Sequence, residues 1–139
     1  FDPEEKIAEY HLEGRASYGG WLTEETRKQA FANTLVNVLP SYNEGLPMTI
    51  LESMGYGIPN ISTNIAAIPE VIDDGENGYL IKPGDVDVLA ERIRIICNDS
   101  EAWKRMSFNA YHKAKEEFSL ENHFEQLIST YNNLIEEIA

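Results

Sequence analysis

A single cysteine, Cys97, stands in a chain of 139 residues. One thiol excludes an internal disulfide and a thiolate metal cage, and it suits a reducing cytoplasm. Basic side chains are scarce as well: 11 Lys and Arg face 24 Asp and Glu, a formal net charge of −13. Wrapping a nucleic-acid backbone needs clustered cations that release counterions, so this balance argues against nucleic acid as a partner. It equally disfavours a polybasic helix on a membrane surface. No apolar run approaches the roughly 20 residues of a membrane span. The acidic opening Phe1-Asp-Pro-Glu-Glu5 has none of the charge pattern of a signal peptide. Internal repeats, low-complexity tracts and linkers are missing too. What is present is apolar content of 42 %, enough for one core and too much for disorder. At roughly 150 residues per domain the length allows one domain.

Hydrophobic periodicity divides the chain. From Ser119, a predicted N-cap, apolar residues recur at Leu120, Phe124, Leu127, Ile128, Tyr131, Leu134, Ile135 and Ile138, the i, i+3, i+4, i+7 pattern of a long helix with one apolar stripe. Asp85 is placed to cap a helix running to about Cys97, with Leu89, Ile93 and Ile96 inward. Ser100 is placed to cap the next, with Trp103, Met106, Ala110 and Ala114 inward. Earlier, short apolar strands alternate with helices. Strands are predicted over 35–39, 58–62 and 78–81, with a further one over 16–20. Helices are predicted over 24–31, from Pro47 to about Gly55 with proline in the first turn, and as a single turn over 69–72. That alternation means a parallel sheet covered by helices, an α/β, Rossmann-like fold. Ligands of such sheets bind beyond the carboxyl ends of the strands, here the loops after Leu39, Ser62 and Ile81.

The first of these loops reads Pro40-Ser-Tyr-Asn-Glu-Gly-Leu-Pro-Met-Thr-Ile-Leu-Glu52. The amides of Gly45, Leu46, Met48 and Thr49 face outward from a helix start, a setting that attracts phosphate through unsatisfied donors and the helix dipole. Glu44 precedes the helix and Glu52 lies within it. Five residues of helix rise about 7–8 Å. A molecule with hydroxyls at both ends and a diphosphate between them fits that spacing, since each carboxylate accepts from vicinal hydroxyls. Spacing alone favours the plainer reading, glutamates that merely complement the dipole or face solvent.

The run from Leu39 through Glu44-Gly-Leu-Pro-Met-Thr-Ile-Leu-Glu52 to Pro59 resembles the signature of glycosyltransferase family 4, with its two glutamates separated by seven residues. The likeness continues through Ile68-Pro-Glu-Val-Ile-Asp-Asp-Gly-Glu-Asn-Gly-Tyr-Leu-Ile-Lys-Pro-Gly-Asp85, and upstream through Tyr18-Gly-Gly-Trp-Leu22 and residues 30–41. It favours the sugar-nucleotide reading. The resemblance implies the carboxyl-terminal, donor-binding half of a two-domain GT-B enzyme. Such an enzyme transfers a sugar from a nucleoside diphosphate with retention to a glycan or lipid-linked glycan, as in polysaccharide biosynthesis. It implies Glu44 on hydroxyls of the transferred sugar, as the catalytic carboxylate, and Glu52 on the ribose. The stretch Gly45, Leu46, Pro47, Met48 and Thr49 would face the donor, with neither metal nor other cofactor. The division implied is a donor domain over 1–118 and a terminal helix over 119–139 crossing back to an absent acceptor-binding half. Such a fragment alone transfers nothing, and its exposed helix invites a dimer. Membrane contact, at the inner face, would come only through the absent half of a cytoplasmic enzyme. A non-catalytic nucleotide- or sugar-binding module is the alternative. Two departures stand out. The arginine and lysine that usually reach the diphosphate have no counterpart, Arg15 being misplaced, and Ala66-Ala67 occupy a position where relatives often carry two glycines.

Other candidates have plainer explanations. Asp85-Val86-Asp87 spells a metal-binding triplet, but a cap and a first-turn acid account for it. Asp73-Asp74 leads into a turn at Gly75. His11, His112 and His123 are far apart in sequence. Cys97, beside Ile95 and Ile96, reads as a packed thiol, and Tyr79 and Trp21 as core aromatics rather than base-stacking platforms.

Overall fold

The computed structural model describes residues 2–138, with the side chain of Ile138 outside the described set. They divide into two compact units, one ending at Ala32 and the other beginning at Asn33. The first holds α1 (Pro3–Glu9) and α2 (Glu24–Ala32). Asp2 caps α1, its carboxylate accepting from the amides of Glu4 (2.9 Å) and Glu5 (3.4 Å). Neither helix contains a buried residue. The strand predicted over 16–20 does not form; Ala16 makes only an isolated bridge to Glu13. The reason is local: Gly20 turns through φ +61°, out of the extended backbone a strand requires.

The second unit is built on three parallel strands, β1 (Asn37–Leu39), β2 (Asn60–Thr63) and β3 (Gly78–Ile81), in the order β1-β2-β3. Both outer strands pair with β2, Asn60 standing opposite Asn37 on one side and Gly78 on the other. β1 and β2 begin two residues later than predicted. Pro59 has no N–H to give a ladder, so it contributes only its carbonyl, to the amide of Asn37 at 3.0 Å, and pairing starts at Asn60. All four residues of β2 are buried, as in a sheet covered on both faces. β3 approaches β2 so closely at Gly78 that a Cβ there would lie 2.3 Å from the Asn60 carbonyl oxygen. Only glycine fits.

Helices cover both faces. On one, α3 (Met48–Gly55) and α4 (Ile68–Val71) bring Ile50, Met54, Ile68 and Val71 against Ala110 and Ala114 of α6 (Ser100–Glu117). On the other, Ile96 of α5 (Val86–Asn98) and Met106 of α6 pack with Ile61, Tyr79 and Ile81, and Trp103 and Leu89 flank them. Asn60, fully buried, joins elements across the sheet edge: its Oδ1 accepts from Asn37 Nδ2 (2.7 Å) and lies 2.8 Å from the Ser53 hydroxyl of α3.

Asp85 caps α5 as predicted, accepting from the Val88 amide at 3.1 Å, and this role absorbs the acidic triplet. α6 departs from the prediction by one residue. Its cap is Asp99, whose extended backbone lets one carboxylate oxygen accept from both Glu101 (3.1 Å) and Ala102 (3.0 Å), leaving Ser100 as the first helical residue. Cys97 is exposed rather than packed, because it lies about 100° around α5 from Ile96. Tyr79 is a core residue with the Arg92 guanidinium 4.6 Å over its ring, whereas Trp21 is fully exposed. α7 (Leu120–Ile138) follows Ser119, whose hydroxyl accepts from the Asn122 amide at 3.2 Å. The apolar stripe is there and faces solvent: Leu120, Phe124, Ile128, Tyr131 and Ile135 are all exposed. Among the described residues no helix is long and apolar enough to cross a membrane.

Candidate functional site

The loops leaving the carboxyl ends of the strands (residues 40–47, 64–67 and 82–85) are tied to one another and to the sheet. Ser62 and Thr63 end β2, both wholly buried. Ser62 Oγ donates to the Leu39 carbonyl at 2.8 Å, and Thr63 Oγ1 donates to the Ser41 carbonyl at 2.7 Å. These hydroxyls tie the end of β1 and the loop that follows it to β2. The Ala67 amide reaches the Gly45 carbonyl at 3.4 Å, joining the loop after β2 to the loop after β1. Tyr42 crosses over Gly84, where a Cβ would stand 3.0 Å from the phenol oxygen. Beneath it Pro40, Tyr42, Ile81, Val86 and Leu89 line a hollow of about 210 Å³. A larger one, about 340 Å³, lies towards the other end of α3 against Tyr111 of α6 and Phe118 just beyond it, away from these loops.

Glu44 sits in the loop after β1, half-buried, with Ser41 Oγ donating to its Oε1 at 2.7 Å. Gly45 and Leu46 follow on the exposed surface. The helix begins one residue later than predicted: Pro47 has extended backbone (φ −68°, ψ 122°) and is the N-cap. Proline carries no side-chain acceptor, so the first amides of α3, those of Met48 and Thr49, have no capping side chain. The side chains of Met48 and Thr49 are exposed, and Glu52 follows on the same helical face at i+4 and i+3 from them, half-buried. Ile50, Ser53 and Met54 take the inward face. Glu52 therefore lies about 6 Å along the axis from the helix start. The seven predicted residues thus form one continuous edge of the unit, from a loop carboxylate across an uncapped helix start to a helical carboxylate. Across from it the loop after β2 contains Ala66 at φ +47°, exposed and in the left-handed region.

Sequence reasoning passed over Ser41 and Thr63. Their signal was a hydroxyl residue at the end of a strand and another at the start of the loop leaving its neighbour.

The model of a family described as "Glycosyl transferases group 1" matches residues 2–113. Among curated proteins, O-antigen chain mannosyltransferase B of Escherichia coli is 31% identical over 122 residues, covering 88% of this chain and 31% of that protein. The chain spans about a third of the length of the curated relatives it matches. Among solved structures, sucrose-phosphate synthase from Thermosynechococcus elongatus superposes with a TM-score of 0.86 at 25% identity, over 96% of this chain and 34% of the other. Anabaena HepE, solved in complex with UDP-glucose, gives 0.83 at 24% identity, over 94% and 35%.

Proposed function

Because the chain belongs to the group 1 glycosyl transferases and has the parallel-sheet fold of their GT-B members, we propose that it is the donor-binding part of a family 4, retaining enzyme. The observation that carries this reading is the uncapped start of α3 flanked by Glu44 and Glu52. A diphosphate at that start would meet the amides of Met48 and Thr49 and the positive end of the helix dipole. Glu52, one turn further along, would accept from the ribose hydroxyls, and Glu44 from hydroxyls of the transferred hexose. Charge-assisted bonds of this kind are strong and directional. Leaving-group charge would be met by protein donors rather than by a metal, and the acceptor would attack from the face the diphosphate leaves. The acceptor, a glycan or lipid-linked glycan, would be bound by a second, acceptor-binding domain against which the apolar face of α7 would rest. The single cysteine supports a cytoplasmic setting.

The test is amide NMR of the chain titrated with UDP-glucose, the ligand of the Anabaena complex, and with GDP-linked hexoses. Gly45, Leu46, Met48 and Thr49 should shift, and Glu52→Ala should weaken binding by about 1.5–3 kcal/mol, the worth of a hydrogen bond to a charged group. If those four amides stay still for every donor, the reading is wrong.

A further inference from the structure

A carboxylate on a loop selects a ligand only if something holds it in place, and Glu44 is held. We propose that Thr63 and Ser41 are positioning residues, a two-step hydroxyl relay from the sheet that aims Glu44 at the donor sugar; this rests on the reading of Glu44 given above. Thr63 is fully buried at the end of the central strand, so its backbone is as fixed as any in the unit. A hydroxyl has one proton to donate, and Thr63 gives its proton to the Ser41 carbonyl at 2.7 Å. Ser41 in turn gives its own to Glu44 Oε1 at 2.7 Å. With Oε1 engaged, Oε2 is the oxygen left to accept from a sugar hydroxyl. Ser62 provides an internal comparison. It is as buried as Thr63 and makes a bond of the same kind, 2.8 Å to the Leu39 carbonyl, but it holds β1 itself rather than the segment bearing Glu44.

The experiment compares affinities for UDP-glucose and for UDP, which lacks the hexose, in the chain and its variants. The ratio of the two isolates the sugar's share of binding. Ser41→Ala and Thr63→Val should each lower that ratio about tenfold, because a misaimed Glu44 forfeits its charge-assisted hydrogen bond to the sugar. Affinity for UDP should stay within about twofold, well inside that margin. Ser41→Thr and Thr63→Ser, which keep the hydroxyl, should restore the ratio, and Ser62→Ala should leave it unchanged whatever it does to stability. The ¹³C resonance of the Glu44 carboxyl, read without ligand, should move in Ser41→Ala and return in Ser41→Thr. The relay is overturned if that resonance ignores Ser41→Ala, or if Ser62→Ala lowers the ratio as much as Thr63→Val. It is overturned too if Glu44→Gln lowers the ratio while Ser41→Ala does not, an outcome that leaves the reading of Glu44 intact. Should Glu44→Gln itself leave the ratio unchanged, the reading of Glu44 fails and takes the relay with it.

Discussion

Two adjacent alanines should respond to the same substitution with opposite signs. Ala66 is held at φ +47°, while Ala67, the N-cap of α4, has φ −87° and ψ 3°. In the left-handed region a Cβ crowds the carbonyl and costs about 1–2 kcal/mol, which glycine does not incur. Against that, glycine loosens the unfolded chain by about 0.4–1 kcal/mol relative to alanine. Ala66 is exposed, so removing its methyl leaves no cavity. Ala66→Gly should therefore stabilise the protein by roughly 0.5–1 kcal/mol, the difference of those two effects. Ala67→Gly has no strain to relieve and should destabilise it by about 0.4–1 kcal/mol. For a domain of this size the Tm should rise by about 2–5 °C in the first variant and fall by a similar amount in the second. Circular dichroism on heating reads both, and urea titration with an unchanged m-value confirms that the folded and unfolded states are otherwise the same. A lower Tm for Ala66→Gly, or equal losses in the two variants, would refute the reasoning.

Two further predictions concern the frame around the site. Gly78→Ala should cost about 3 kcal/mol in urea unfolding, because the new methyl meets the backbone of the central strand at 2.3 Å and backbone cannot swing aside; a loss below about 1 kcal/mol would mean the strands separate easily. Cys97, exposed at the end of α5, should react with a maleimide in the folded chain at close to the rate seen in urea, and protection until unfolding would contradict its placement.

What the sequence made legible followed from signals contained in a few neighbouring residues. The 3.6-residue period after Ser119 gave α7, Asp85 gave the start of α5, and the Gly78-Tyr-Leu-Ile81 run gave β3 at its observed bounds. The misses have separate causes. Residues 16–20 end in Gly20, whose positive φ takes the chain out of extended backbone, a conformation glycine permits but does not announce. Asp99 outcompetes Ser100 because its backbone is extended and its carboxylate accepts twice. The outward position of Cys97 was a matter of angle, readable by counting 100° from Ile96 but obscured by the apolar residues before it. In the site, the order Glu44, helix start, Glu52 could be read along the chain. The bonds from Ser62 and Thr63 span 23 and 22 residues, and only the parallel register of β1 on β2 brings those hydroxyls to the loop.

The sixth helix has a mechanical consequence. Met106 belongs to the packing on one side of the sheet, while Ala110 and Ala114, one and two turns later, belong to the packing on the other. A single rod thus pins both halves of the sandwich, like a bolt through two plates. Loosening either half frees the rod and slackens its counterpart, so disturbances near α3 should reach α5 through α6 without crossing the strands.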